Sequence, residues 1–94
     1  MKLIFNKALR EFAALHADAQ QPLQDFRRKI EKGTFAHFAE LCVVFPAVDK
    51  VGERYVFIIG GNKYRLVAGI DFSRRMLWVK AGLTHGEYEK GVWK

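Results

Sequence analysis

The sequence predicts an α+β domain: an N-terminal helical hairpin packed on one face of a small antiparallel β-sheet, with a short helix at the C-terminus. Three observations predict it. Apolar residues recur at helical spacing through the first third of the chain. From residue 40 the period changes to two. Within that second region Gly60-Gly61-Asn62-Lys63 separates two alternating runs in the manner of a hairpin turn.

Lys2 to Phe5 reads as a short edge strand. Asn6 is placed to N-cap a helix from about Lys7 to Ala17. Leu9, Phe12, Ala13 and His16 fall at i, i+3, i+4 and i+7, one buried stripe. Gln20-Gln21-Pro22 breaks this helix, and Pro22 suits the first turn of a second. That helix has Leu23, Phe26 and Ile30 on its apolar side and ends at Gly33. Glu40 to Phe45 is expected as a strand halted at Pro46, and Asp49 to Glu53 as a loop. Arg54 to Ile59, Tyr64 to Phe72 and Leu77 to Leu83 are the remaining strands, with Ser73 to Met76 a loop. Thr84-His85-Gly86-Glu87 has the form of a capping box opening a terminal helix.

The 94 residues are expected to form a single domain, 1–94; half are hydrophobic and 28% are charged, a globular composition. The longest apolar run, Leu41 to Val48, is eight residues and contains Pro46, whereas a membrane span needs roughly 20. The apolar stretch at the N-terminus turns polar at Asn6-Lys7, too early for a signal peptide. Cys42 is the one cysteine, which excludes an internal disulfide and a cysteine zinc site and points to the reducing cytoplasm. The formal net charge is +6, and it is uneven. Residues 1–49 carry seven Lys and Arg against six Asp and Glu; residues 50–94 carry nine against four. A basic domain concentrates polyanions near itself; the same charge also serves plain solubility.

A two-residue Gly61-Asn62 turn sets Ile59 opposite Tyr64, Phe57 opposite Leu66 and Tyr55 opposite Ala68. If Phe72 faces Leu77, then Ile70 faces Val79, Ala68 faces Ala81 and Leu66 faces Leu83. One sheet face is then apolar along three strands, and the helices are expected there. The opposite, uncovered face presents Val56, Ile58, Arg65, Val67, Asp71, Trp78 and Lys80. Arg65 faces Thr84, just before His85, and Tyr88 lies one helical turn after His85. Arg65, Lys80, His85 and Tyr88 thus gather near one concave face, with Asp71 its only acid, at the far end. On that polar face the Arg65 side chain is expected to be dispensable for packing.

Metal-free RNA cleavage needs activation of the ribose 2′-OH, stabilisation of a dianionic transition state and protonation of the leaving oxygen. Arginine holds phosphate oxygens bidentately. Histidine as a residue type titrates near neutral pH and moves protons. Lysine adds charge, and tyrosine stacks on a base or donates a proton. The same four residues also suit passive nucleic-acid or protein binding, and both readings stand. Trp78 falls on the exposed face by parity, which favours stacking or a partner's apolar anchor. Arg27, Arg28, Lys29 and Lys32 are a solvated helix face or a contact for ribosomal RNA or an acidic partner, and Arg74-Arg75 at a loop tip carry the same ambiguity. His16 reads as a partly buried packing residue, His37 as a solvated loop residue and Cys42 as a buried small hydrophobe. The three histidines lack metal-ligand spacing, and Gly60-Gly61 precedes a strand, so it is no phosphate loop.

The run Tyr55-Val56-Phe57-Ile58-Ile59-Gly60-Gly61-Asn62-Lys63-Tyr64-Arg65-Leu66-Val67-Ala68, with Thr84-His85-Gly86-Glu87-Tyr88, resembles the HigB toxin family of the RelE-like superfamily of bacterial type II toxin–antitoxin systems. The likeness extends over nearly the whole chain. It implies a RelE-like fold and an mRNA interferase that acts on messages, typically on translating ribosomes, without a cofactor, and that is neutralised by a helix-turn-helix (HigA-like) antitoxin. It places the family's polar positions on Asn62, Arg65, His85, Glu87 and Tyr88, with Glu89 where an Asp is more usual. Arg65 would stabilise the phosphate, His85 act as general acid or base, Tyr88 stack or protonate, and Lys80 supply charge. Asn62, Lys63, Trp78, Arg74 and Arg75 would contact RNA. Asn62 and Glu87 would also act as turn and cap. A catalytically silent binding module of the same fold is the alternative; a small-molecule enzyme would lack a Gly-rich loop, carboxylate pair or metal motif.

Overall fold

The computed structural model describes residues 1–4, 6–91 and 93. The elements run β1 (Lys2–Ile4), α1 (Lys7–Leu15), a single 3-10 turn (Ala17–Ala19), α2 (Gln20–Lys32), α3 (Phe38–Val44), β2 (Asp49–Val51), β3 (Arg54–Ile59), β4 (Tyr64–Asp71), β5 (Met76–Thr84) and α4 (His85–Lys90). Phe5, expected to end the first strand, lies outside the described residues. The five strands form one sheet in the order β1-β5-β4-β3-β2. The sheet is mixed, not purely antiparallel: β1 pairs with β5 in parallel, and every other pairing is antiparallel. A strand at the chain start reaches the far edge because α1 through β4 intervene before β5 forms beside it.

Asn6 caps α1, its side chain accepting from the Leu9 N–H at 3.2 Å. Leu9 and Phe12 on α1, and Leu23, Phe26 and Ile30 on α2, are buried as their spacing predicts. They meet Tyr55, Phe57, Leu66, Ala68, Leu77 and Val79 on the sheet. Burying side chains of this size contributes about 1.5–3 kcal/mol each, which is why helix faces with little intrinsic stability stay docked. His16 packs as expected, its ring 4.9 Å from those of both Phe12 and Tyr64.

The helix joint is displaced: α1 ends at Leu15, and Gln20-Gln21-Pro22 open α2 rather than break α1. Three other expectations fail. Glu40 to Phe45 is not a strand: it lies largely within the helix α3. The apparent change to a period of two suggested the strand, yet Val43 is 80% exposed, while Leu41 is fully buried. Phe38, Leu41 and Phe45 share a helical face at i, i+3 and i+7 and pack on the core. The Glu40 carboxylate accepts the Ala36 N–H and helps satisfy the start of this helix. Cys42, beside Leu41, is only half-buried. Asp49 to Glu53 is not all loop either: Asp49–Val51 is the edge strand β2, turned into β3 through Gly52 at φ +63°. A short charged strand suits a sheet edge, where it discourages pairing with other chains.

The third correction decides the site. The β3–β4 register is as predicted, with Ile59, Phe57 and Tyr55 opposite Tyr64, Leu66 and Ala68. In the β4–β5 pair the loop is Phe72 to Arg75, so Asp71 faces Met76, Ile70 faces Leu77 and Ala68 faces Val79. A bulge then leaves Lys80 unpaired, and Val67 faces Ala81, Leu66 faces Gly82 and Arg65 faces Leu83. One extra residue turns the rest of β5 over. Ala81 and Leu83, expected under the helices, lie on the opposite face. Gly82 lies under α1, where a Cβ would come within 2.4 Å of the Phe12 ring.

Candidate active site and nucleic-acid interface

The face away from the helices is partly covered, contrary to expectation. Val56 and Val67 are buried there beneath Trp93, with Val51, Ala81, Leu83 and Tyr88 packed around them. Trp93 played no part in the sequence reading. It is held by its indole N–H donating to the Tyr88 carbonyl at 3.1 Å, and its own carbonyl accepts from Arg54 at 2.8 Å. The turn at Gly91, φ +70°, brings the chain back over the sheet. That glycine was the available signal.

Arg65 leaves β4 on this face but is only 7% exposed, so its side chain is not dispensable for packing. Its Nη1 donates to the carbonyls of Asn62 (3.1 Å) and Tyr64 (3.2 Å). Its Nη2 donates to Asn62 Oδ1 (2.6 Å) and lies 3.0 Å from His85 Nδ1. Asn62 supplies two of these four acceptors because it takes a left-handed conformation, φ 84°, after Gly60 and Gly61, also at positive φ. Asparagine tolerates that geometry better than most residues.

Arginine can only donate, so His85 Nδ1 must accept, and the ring proton is assigned to Nε2. Nε2 lies 3.3 Å from a Glu89 carboxylate oxygen, one turn along α4. The capping box of α4 forms as expected: Glu87 N–H donates to Thr84 Oγ1 at 3.2 Å, and Thr84 N–H donates to Glu87 Oε1 at 2.9 Å. The Thr84 backbone N–H first, and then the Thr84 side chain, hold the Glu87 carboxyl below the usual range. The His85 N–H donates to the Lys63 carbonyl at 2.9 Å, fastening the helix start to the β3–β4 turn. The Tyr88 ring stacks on Trp93 at 5.0 Å and 14°, and lies 5.6 Å from the Arg65 guanidinium carbon. The Tyr88 hydroxyl makes no hydrogen bond among the described residues. Arg65, Tyr88, Val56 and Ile58 line a cleft of about 330 Å³ with the segment Pro46 to Asp49. Asp49 is thus a second acid at this face, missed because its segment was read as a loop.

Arg65, His85, Tyr88 and Asn62 therefore come together. Lys80 does not join them: it sits on the bulge and lines a separate cleft with Trp78, Gly69, Lys50 and Arg54. Trp78 is half-buried rather than freely exposed. Lys63 pairs with Asp18 at 3.3 Å, on the helix side, and Asp18 also accepts from the Tyr64 hydroxyl at 2.6 Å. Arg74 lies 3.8 Å from Asp71, and Arg75 holds the β4–β5 loop at φ 56°. Arg27 and Arg28 pair with Glu31 and Asp25 along α2, and the Lys29 ammonium lies 5.9 Å from the Phe45 ring. Lys32 is exposed near the end of α2. His37 is the exposed N-terminal flank of α3, 3.6 Å from Glu40.

A buried arginine linked to a histidine and a tyrosine beside a basic sheet face is an arrangement suited to a phosphodiester. A family model described as HigB toxin, RelE-like toxic component of a toxin–antitoxin system, matches residues 19–91. The chain belongs to the HigB toxin family. Among similar proteins, the mRNA interferase toxin HigB of Escherichia coli (strain K12) is 34% identical over 92 residues, 95% of this chain and 88% of that protein. The mRNA interferase HigB of Shigella flexneri matches to the same extent. That of Escherichia coli O6:H1 is 30% identical over 93 residues, 96% of this chain and 90% of its own. The α+β fold described above, with four helices and a mixed five-stranded sheet, is thus that of a HigB-family chain. Among the described residues no helix is long and apolar enough to cross a membrane.

Proposed function

We propose that this HigB-family chain is the toxin of a toxin–antitoxin pair and cleaves mRNA in the cytoplasm, on the translating ribosome. It does so by driving a ribose 2′-oxygen onto the adjacent phosphate. The relatives' name, mRNA interferase, supports the substrate. The observation that carries the chemistry is the Arg65–His85 contact. Four of the five Arg65 N–H donors are held within the protein, and Nε–H has no partner among the described residues. A scissile phosphate would take Nε–H and compete with His85 for Nη2. When Nη2 moves to a phosphate oxygen, His85 Nδ1 is released and the ring becomes able to gain a proton. Arrival of the substrate anion thereby readies the histidine either to take the proton from the attacking 2′-hydroxyl or, once protonated, to give one to the leaving 5′-oxygen. Arg65 stabilises the extra negative charge of the transition state. Tyr88, whose ring stacks on Trp93 and which lines the cleft, offers a ring for stacking and a hydroxyl for proton donation. No cofactor enters this scheme.

The partners proposed are a helix-turn-helix, HigA-like antitoxin that covers the Arg65 cleft or blocks ribosome entry, and ribosomal RNA against the α2 face of Arg27, Arg28, Lys29 and Lys32. A silent binding module of the same fold remains the second reading, because Arg65 is so fully satisfied internally that it also serves as a plain structural clamp. Inducible expression in a bacterium, with mapping of RNA 5′ ends, separates the two. Growth arrest with new ends inside coding regions is the expected result. Normal growth with unchanged ends, at verified expression, would overturn the enzymatic reading.

A further inference from the structure

We propose that the cleft around Trp78 is a second RNA subsite, in which a nucleobase stacks on the indole and its phosphates lie against Lys80, Lys50 and Arg54. This deepens the reading of the chain as an RNA-cleaving toxin and rests on it. The cleft, of about 460 Å³, is lined by Lys50, Glu53, Arg54, Gly69, Trp78 and Lys80, among others. It has two independent features of a nucleotide site.

The first is the platform. Trp78 faces Gly69 across the β4–β5 pair. A Cβ on residue 69 would fall 2.5–2.7 Å from Cε2, Cζ2 and Nε1 of the indole. The ring therefore rests on bare β4 backbone, and only a glycine permits it. Taken alone this is ordinary aromatic packing over a glycine. Yet Trp78 keeps part of its surface open to the cleft. A ring already immobilised on one side loses little freedom when a base covers the other, and any base has a π-face to offer.

The second is the charge. Lys80 is exposed and has no hydrogen bond or ion pair among the described residues. It stands on the bulge, which aims its side chain out of the regular ladder. Arg54, which also donates to the Trp93 carbonyl, reaches the same cleft from the β2–β3 hairpin; Lys50 lines its edge, with its ammonium 6.0 Å from the Tyr55 ring, and Glu53 is the single carboxylate lining it. Three cations against one acid, around a half-open indole, match the alternation of phosphate and base in a single strand. The site lies on the same side of the sheet as Arg65. Gly69 is four residues along β4 from Arg65, roughly 14 Å at the usual strand rise, a span of a few nucleotides. One extended RNA strand passing over Trp93, which covers Val67 between the two, would reach both clefts, and Lys80 would grip the substrate away from the scissile bond.

The test uses the whole chain and an uncleavable probe, a 2′-O-methyl RNA octamer, with a 2′-O-methyl dinucleotide for comparison. Binding is followed by tryptophan fluorescence and, independently, by calorimetry. The octamer is expected to bind more tightly than the dinucleotide, and Trp78→Ala and Lys80→Ala each to reduce that advantage by about tenfold. Lys80→Ala should also lower the slope of log K against log salt by about 0.7. Trp78→Phe keeps a ring over Gly69 and should retain affinity within a few-fold, so a loss confined to Trp78→Ala is not a folding defect; thermal unfolding of each variant checks this. Unchanged octamer binding in both alanine variants overturns the subsite, even where the wild type cleaves RNA and the enzymatic reading stands. Unchanged RNA binding with loss of an antitoxin complex overturns it in favour of protein docking. Octamer binding that depends on Trp78 and Lys80 supports the subsite even if the wild type cuts no RNA.

Discussion

Arg65→Ala should cost stability as well as activity. Read from strand parity alone, this side chain stands on an open polar face and its removal is harmless. In the fold it is 7% exposed and joins the β3–β4 turn to α4. Hydrogen bonds to a charged group contribute about 1.5–3 kcal/mol each, but not all four are lost at that value. Asn62 Oδ1, the Asn62 carbonyl and His85 Nδ1 sit at the cleft edge, where water replaces the missing donor. The Tyr64 carbonyl bond is buried and keeps most of its value. A net loss of about 2 kcal/mol follows, which for a domain of this size lowers Tm by roughly 8–16 °C. Cleavage measured well below the variant's Tm should fall on the order of 100-fold or more, from lost transition-state stabilisation. The assays are thermal unfolding by circular dichroism and single-turnover cleavage of a message fragment. Asn62→Gly is the control: it keeps the positive φ and removes only the amide that holds Nη2. It should reproduce part of the Tm loss. A Tm within about 2 °C of wild type for Arg65→Ala would refute the clamp described above. Near-normal cleavage by the folded variant would remove Arg65 from the chemistry.

Three further outcomes are expected. His85→Gln should slow single-turnover cleavage by about 100-fold or more and flatten its pH dependence near neutrality, whereas Tyr88→Phe, which keeps the ring against Trp93, should leave Tm unchanged and lower cleavage only if the hydroxyl acts; a double variant with normal cleavage would eliminate both. Gly82→Ala would drive a methyl into the Phe12 ring and should cost about 1–3 kcal/mol, read as a fall in denaturation midpoint; no change would mean that α1 slides freely over β5. In acid, the Tyr64 hydroxyl holds Asp18 below its ordinary value of 3.8, and the Thr84 N–H holds Glu87 below 4.5. Both carboxyls are lower in the folded chain than in the unfolded one, so their stabilisation is complete above those ordinary values and declines as pH falls through the depressed ones. A wild-type Tm that stays constant from about pH 5 to pH 2 would contradict this.

The helical hairpin, the β3–β4 register and the α4 capping box were legible in the chain because each is set by neighbours in sequence. A stripe at i, i+3, i+4, a Gly-Asn turn and a Thr-x-x-Glu pattern are local patterns with one dominant local outcome. The resemblance carried by the turn and the Thr-His-Gly-Glu-Tyr run likewise lies in contiguous residues, and it named the family, Arg65 and the three residues that meet around it, Asn62, His85 and Tyr88. What stayed hidden was long-range. The α3 segment was misread because its seven residues are too few to distinguish a helical period from a period of two, while the burial of Leu41 that makes it helical comes from distant core residues. The parallel pairing of β1 with β5 joins residues more than seventy positions apart, and no short pattern encodes it. The bulge at Lys80 is a one-residue choice, settled by Phe12 needing a glycine beneath it and by Leu83 and Ala81 finding cover under Trp93. That choice set Leu83 rather than Thr84 opposite Arg65 and brought Ala81 and Leu83 under Trp93. Local pattern sets most of the elements; the helical state of α3, and which side of the sheet each residue meets, depend on packing between segments that approach one another only once the chain has folded.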